Sequence, residues 1–488
     1  MVIESLKYKI LQQFGFAPTQ EQGQALGTFV SFLTDRDPQA VMILRGSAGT
    51  GKTSLSGAIV RTLLQIRQKV MLLAPTGRAA KVFSLGSGAP AYTIHRRIYR
   101  EKAFAGVDGQ FSLNDNLYTD TLFMVDEASM IANMGLGGTT FGSGCLLDDL
   151  VKFVYQGHND RLLLIGDKAQ LPPVGEEESP ALSASVMEGY GLKVYECDLN
   201  EVLRQSQSSG ILYNATLIRQ MITHDAVTGL PLIRFKGFAD IVMMPGAELV
   251  ESLGDSYHHV GMDETMVITR SNKRANIYNN GIRNMVLDRE EELSSGDMLM
   301  IVKNNYFWTE KEKKESGEGS AGAVPAFLAN GDRAKVLRVS NYIELYGFRF
   351  ATLLLQLPDY DDYEMQVTGM LDTLQSEAPA LTHEQQEELF RQVEEDYQHF
   401  VPLKADRMKS IRQDAYFNAL QIKYAYAVTC HKAQGGQWAH VYVDQGYMTD
   451  DMLTPDYIHW LYTAFTRATD KLFLVNWPKE QTCEPTDL

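Results

Sequence analysis

The residues of this chain that could do chemistry are grouped around phosphate. GSAGTGKT, Gly46 to Thr53, fits the G-x-x-x-x-G-K-[ST] phosphate-binding loop. Its glycines would let backbone N–H groups curl around an anion. Lys52 would reach the β- and γ-phosphates of a nucleotide, and Thr53 would hold Mg²⁺. Asp126-Glu127 closes the apolar run Thr121–Val125, and a carboxylate at the end of a buried strand is costly unless something pairs with it. Asp126 would accept Mg²⁺ through water and Glu127 would polarise the attacking water; taken alone, such a pair is as readily a strand end or a helix cap. Gln170 lies in GDKAQLPPVG, Gly166 to Gly175, where it could hydrogen-bond a γ-phosphate and report its loss. Pro172-Pro173 would stiffen that loop, which alone is just a turn. Arg204 in LNEVLRQ and Arg467 in LYTAFTRATD suit transition-state charge, although either alone could be a surface ion pair.

The elements that must position these groups are short apolar runs alternating with helical segments. Strands are expected at Ala40–Leu44, Val70–Ala74, Leu122–Val125, Leu162–Ile165 and Val194–Leu199. Each is continuous rather than alternating, as expected for a strand covered on both faces, and the intervening helices imply a parallel α/β sheet. A second set is expected at Met266–Thr269, Met298–Val302, Val441–Asp444 and Leu472–Val475. Ala334–Leu357 reads as a hairpin pair around Ser340-Asn341, followed by an acidic helix over Glu384–Tyr397, and Thr309–Gly322 reads as a loop. The fold class is therefore α/β: two α/β domains, the second interrupted by a small β-rich insert at about 331–415.

With 488 residues, 44% apolar and 22% charged, the composition is globular and excludes a disordered or fibrous chain. Cys145, Cys197, Cys430 and Cys483 are too scattered for a zinc or redox pair, and no run approaches the length of a membrane span. A soluble, cytoplasmic protein without a membrane partner is the expectation. The net charge of −16 hides an asymmetry: Val41 to Arg100 holds ten Lys or Arg and no acid, while Asp359 to Phe400 holds twelve acids and one base. An acid-free basic stretch is what a polyanion site needs, unless it is chance clustering on a solvated face.

Nine elements stand in one order: Thr19–Gln22 (TxxQ), GSAGTGKT, APTGRAAK (Ala74–Lys81), TIHR (Thr93–Arg96), VDEASM (Val125–Met130), GDKAQLPPV, LRQ, AVTCHKAQG (Ala427–Gly435) and LYTAFTRA (Leu461–Ala468). Together they resemble the motif set of the superfamily 1B helicases, the RecD-like and Dda-like group, from about residue 16 to 475. The resemblance implies two RecA-like P-loop domains, at 1–207 and at 208–330 with 416–488, and an SH3-like insert at 331–415. It implies ATP and Mg²⁺ as cofactors, and single-stranded and tailed duplex DNA as partners. Gln22 is similar to the family's adenine-contacting glutamine, and the nucleotide would lie on Gly46, Ser47, Ala48, Gly49, Thr50, Gly51, Lys52, Thr53 and Ser54. Lys52, Glu127, Gln170, Arg204 and Arg467 match the family's ATPase residues, with Thr53 and Asp126 at the metal. Pro75, Thr76, Thr93, His95, Thr429 and His431 fall in motifs that line the family's single-strand track, though His95 and His431 could each be ordinary histidines. Lys432-Ala433-Gln434-Gly435 matches the element that couples track to nucleotide. The acidic helix has no place in this pattern.

The activity implied is ATP-driven DNA unwinding with 5′-to-3′ polarity, in repair or recombination. A DNA-binding ATPase subunit that does not itself unwind is the alternative; TIHR and AVTCHKAQG, which a plain ATPase does not need, favour the helicase. A pin hairpin is expected at about 100–119. Asp108-Gly109 would form its two-residue turn, Phe104 would stand opposite Leu113, and Phe111 would hold the strands apart. The competing reading packs those aromatics on the domain.

Overall fold

A computed structural model describes residues 2–101, 111–135, 142–201, 208–223, 229–316, 324–325, 327–401 and 403–483. Its strands are β1 Ala40–Gly46, β2 Lys69–Ala74, β3 Ala91–Thr93, β4 Tyr99–Glu101, β5 Phe111–Leu113, β6 Thr121–Val125, β7 Arg161–Gly166, β8 Lys193–Leu199, β9 Ile241–Met244, β10 Thr265–Thr269, β11 Met298–Ile301, β12 Arg333–Leu345, β13 Phe348–Leu357, β14 Tyr363–Met370, β15 Leu420–Tyr424, β16 Ala427–Thr429, β17 Trp438–Asp444 and β18 Ala468–Val475. They are distributed over two compact units. One holds the described residues up to Gly246 together with those from Ala433; the other holds Ala247–Lys432.

In the first unit β3, β2, β6, β7, β1 and β8 form a parallel sheet in that order. Successive residues of a strand point to opposite faces, and β1 divides between two cores on that rule. Ala40, Met42 and Leu44 join a cluster with the helices Val2–Phe14, Gln20–Leu33 and Lys52–Gln65. Val41 and Ile43 join another with the helix Leu146–Gln156. Apolar side chains on both faces are why these strands read as continuous hydrophobic runs. β17, β18 and β9 of the same unit are also parallel neighbours. They run with the helices Gly210–Thr223 and Pro455–Phe465.

In the second unit β10 and β16 pair in parallel, and β11 to β15 close a small barrel. Here the structure corrects several expectations. Met298–Ile301 is a barrel strand, not a member of a parallel sheet, because its partners β12 and β15 run antiparallel to it. The hairpin turns at Tyr346-Gly347, at φ 55° and 74°, rather than at Ser340-Asn341. Asn341 does have a positive φ of 50°, but it marks a register shift between Ser340 and Ile343. A left-handed Asn serves a bulge as well as a turn. Residues Phe307–Ser316 are helical, so the expected loop begins with a helix. The acidic helix is present as His383–Gln398, opened by a Thr382/Gln385 capping box. It buries Leu389 and Val393 against Phe348, Phe350 and Met370 of the barrel and Ile411 of the helix Lys404–Arg412, which makes it a cover for apolar surface. No helix among the described residues is long and apolar enough to cross a membrane.

One buried charge ties this unit together. Asp297 has a fully buried side chain and accepts from Arg283 at 3.0 and 3.1 Å, Arg289 at 2.5 Å, the Tyr426 hydroxyl at 2.7 Å and the Ser294 N–H at 2.7 Å. Removing it would strand the buried Arg283 guanidinium. Asp297→Ala is therefore expected to cost about 3–5 kcal/mol of stability in a denaturant titration, and a cost near zero would mean the cluster is not structural.

Candidate nucleotide site

The parallel sheet of the first unit delivers the carboxyl ends of β1, β6 and β7 to one edge, the usual ligand edge of such sheets. The phosphate loop leaves β1 there and ends at the helix Lys52–Gln65, with Gly49 and Gly51 left-handed at φ 77° and 79°. Gly46 has to be glycine, since a Cβ would come within 2.8 Å of the Lys52 side chain. Lys52 Nζ donates to the carbonyls of Gly46 and of Ser47, the latter at 3.1 Å. Gln22 is buried; its Nε2 donates to the Thr50 carbonyl at 2.9 Å while its Oε1 accepts from Thr19 N–H at 3.0 Å. The TxxQ element thus caps its own helix and tethers the loop. Thr53 and Ser54 lie exposed in the first turn of the following helix.

Asp126 and Glu127 follow β6. Burial first, and then the charge of Glu127, push the Asp126 carboxyl up to about 7, while the Glu127 N–H donating at 2.9 Å opposes the shift. The nearby Lys52 charge offsets this shift only in part, and a divalent cation held by Asp126 and the Thr53 hydroxyl would add further positive charge there. Glu127 has φ 52°, a left-handed conformation uncommon for a non-glycine residue and frequent at functional sites.

Gln170 joins the acid to the arginine. With its amide nitrogen turned toward Glu127, it donates to Oε2 at 3.1 Å and its oxygen accepts from Arg467 Nη2 at 3.2 Å. Arg467 is itself fully buried and donates to the carbonyls of Thr463 and Gly436, both at 3.1 Å. The structure therefore brings together Glu127, Gln170 and Arg467. Arg204 lies outside the described residues.

Several further residues hold this arrangement, and of these only Gln434, in the coupling element, was singled out in the sequence. Tyr462 accepts from Ala48 N–H of the phosphate loop at 3.0 Å and donates to Asp167 at 2.6 Å. Burial, reinforced by Asp167, pushes its phenol well above the ordinary tyrosine range, so it stays a donor. Thr463 Oγ1 accepts from Leu171 N–H at 2.8 Å, His459 meets the Ala169 carbonyl at 2.9 Å, and Gln434 donates to the Leu171 carbonyl at 2.8 Å. Tyr462 and Thr463 stood inside LYTAFTRA, so one signal was present: the face of the Pro455–Phe465 helix that leads to Arg467. Arg219, which donates to Ser47 Oγ, carried no motif at all.

The residues expected on a single-strand track divide between the units, Pro75, Thr76, Thr93 and His95 in the first, Thr429 and His431 in the second. Thr76 caps the helix Gly77–Ser87 and Thr93 caps Ile94–Ile98. Gly435 lies so close to the former that a Cβ would come 2.9 Å from Ala79 Cβ and 3.1 Å from Thr76 Oγ1. The hairpin has a different register from the expected one: Tyr99 pairs with Leu113 and Glu101 with Phe111. Tyr99, Phe111 and Leu113 pack on the core of the unit, and that packing sets the register. The expected turn, Asp108-Gly109, and Phe104 lie outside the described residues.

A family model for an AAA domain matches residues 18–229, and one for a UvrD-like helicase C-terminal domain matches residues 424–475. The chain is 32% identical over 135 residues to the ATP-dependent RecD2 DNA helicase of Deinococcus radiodurans, covering 28% of this chain and 16% of that one. It is 25% identical over 267 residues to the ATP-dependent DNA helicase dda of Enterobacteria phage T4, covering 53% and 55%. The matches thus span less than two thirds of either relative. A Pif1 helicase from Bacteroides, solved with ADP-AlF3 and ssDNA, aligns over 96% of this chain and 95% of that one at 13% identity, with a TM-score of 0.46.

Burial alone pulls His95 down to about 4. A histidine depressed in this way stabilises the fold above its unfolded value near 6.5, and that contribution is lost as pH falls toward 4. Thermal melts are expected to show wild type losing about 1–2 kcal/mol more than His95→Gln between pH 7.5 and 5. Parallel losses would mean that His95 takes up a proton as readily in the folded state as in the unfolded one.

Proposed function

Because this chain belongs to the superfamily 1B helicases of the RecD and Dda type, we propose that it is an ATP-driven DNA helicase moving 5′ to 3′ along single-stranded DNA. The observation that carries the reading is the Glu127–Gln170–Arg467 chain beside the phosphate loop. Lys52 and the loop N–H groups would bind the phosphates, and Glu127 would orient and deprotonate the attacking water. Arg467 would meet the charge that develops on the transferred phosphoryl group, with Arg204 as a second guanidinium. Mg²⁺, held by Asp126 and Thr53, would neutralise phosphate charge when bound. Gln22 supports the adenine end by its place on the loop.

Domains at 1–207 and at 208–330 with 416–488 would close on ATP and open after hydrolysis. Pro75, Thr76, Thr93, His95, Thr429 and His431 would line the strand, and Gly435, packed on Thr76, would link it to the nucleotide. The β4–β5 hairpin is the proposed strand-separating element, although Phe111 itself packs on the domain core. We place the protein in the cytoplasm, acting in repair or recombination on tailed duplexes.

Hydrolysis is expected to rise on adding single-stranded DNA. Glu127→Gln should keep nucleotide binding and lower turnover on the order of 100-fold or more. Near-normal turnover by that variant would remove Glu127 from its role. Duplexes with a 5′ tail should be unwound in preference to those with a 3′ tail, and the reverse preference would overturn the polarity.

A further inference from the structure

Arg219 sits on the helix Gly210–Thr223, outside every motif described above. That helix is firmly held. Asp240 accepts from the Gly210 and Ile211 N–H groups and the Ser209 hydroxyl. Buried Asn214 exchanges hydrogen bonds with the backbone of Arg234, at 2.9 Å each. Ile211, Ala215 and Ile218 form its buried stripe, at the i, i+4, i+7 spacing of one helix face, and Arg219 flanks it.

From this fixed base the Arg219 guanidinium donates to the hydroxyl of Ser47, the second residue of the phosphate loop. No carboxylate among the described residues forms an ion pair with it. A half-buried guanidinium beside a neutral hydroxyl is poorly compensated, whereas a phosphate oxygen would be a far stronger acceptor. The same residue locates which phosphate: Lys52 Nζ lies 3.1 Å from the Ser47 carbonyl, and the phosphate-loop lysine serves the β/γ end of the nucleotide. Lys52 and Arg219 therefore converge on Ser47 from its carbonyl and its side chain. Arg219 also lies near enough to Tyr462 for its charge to bear on that phenol, which places it on the side of the loop that Tyr462 covers.

We propose that Arg219 is a further phosphate-contacting residue of the ATPase site, a guanidinium directed at the terminal phosphate end of the bound triphosphate. This rests on the reading of the chain as an ATPase, and deepens it. Arg219 would add fixed positive charge where the γ-phosphoryl group departs, so it should discriminate triphosphate from diphosphate and act on turnover.

The test uses the full chain with Arg219→Ala, Arg219→Gln and Arg219→Lys, each checked for folding by thermal melting. Glutamine can still donate to Ser47 but carries no charge; lysine keeps the charge. Affinities for a fluorescent non-hydrolysable ATP analogue and for the matching ADP are measured with DNA-stimulated turnover. The expected result is a loss of about 10-fold in analogue affinity for the Ala and Gln variants, with ADP affinity nearly unchanged. Turnover should fall on the order of 100-fold, with partial recovery in Arg219→Lys. Full function in Arg219→Gln, or equal losses for analogue and ADP, would reduce Arg219 to a brace for the loop and overturn the inference. Should Arg219→Ala melt early, the Gln and Lys variants still decide. Wild-type protein that neither binds nor hydrolyses ATP would instead sink the parent reading.

Discussion

The site depends on one docking contact, that of the Pro455–Phe465 helix against the loop Asp167–Leu171. Tyr462 to Asp167, Thr463 to Leu171 and His459 to Ala169 are all made by residues three or four apart or adjacent on one helical face. The same face continues through Thr466 to Arg467, whose backbone carbonyl in turn accepts from Trp438 N–H at the start of β17. Because Arg467 is fixed by this docking rather than by an ion pair, its reach toward Gln170 depends on the helix staying seated. Anything that moves the loop after β7 moves the arginine with it. A buried guanidinium whose acceptors are all neutral, two carbonyls, an amide and the Thr466 hydroxyl, is electrostatically hungry, which suits the role proposed for it.

The phosphate loop feels the same contact from the other side. Ala48 N–H, one of the amides that would cradle an anion, is engaged by the Tyr462 hydroxyl, and Ser47 by Arg219. In the proposed site, nucleotide phosphates would address the same few atoms of the loop as the Pro455–Phe465 helix does. Phosphate arriving at Ala48 would compete with Tyr462 or be completed by it, and either way binding is felt by the helix that carries Arg467. Gly435 against Thr76 gives a second close approach, here between the AVTCHKAQG element and the cap of the Gly77–Ser87 helix.

Much of this was legible in the sequence, because the loop, the acidic pair and Gln170 each follow an apolar run that reads as a buried strand, while Arg467 was marked by its motif just past the Pro455–Phe465 helix. The parallel sheet followed for the same reason: Val41–Leu44 has no polar residue to mark a solvent face. What escaped was set by contacts remote in sequence. Met298–Ile301 is as apolar as any parallel strand, and only its antiparallel partners β12 and β15 assign it to a barrel. Asn341 carried a true left-handed signal, yet a bulge and a turn use the same backbone conformation. The hairpin register followed Tyr99, Phe111 and Leu113 into the core rather than the Asp-Gly pair. Arg219 is an ordinary helix residue by type and spacing, and only the folded chain places it on Ser47.

The proposed reading turns on Gln170 as the link between Glu127 and Arg467. The direct measurement is single-stranded DNA affinity with a non-hydrolysable ATP analogue and with ADP, in wild type and in Gln170→Ala. In wild type the two nucleotides should set affinities differing by about 5-fold or more. Gln170→Ala should still bind both nucleotides and DNA, with that difference collapsed toward one. A variant that keeps the full difference would contradict the account, because the coupling would then run through other atoms than the Glu127–Gln170–Arg467 chain.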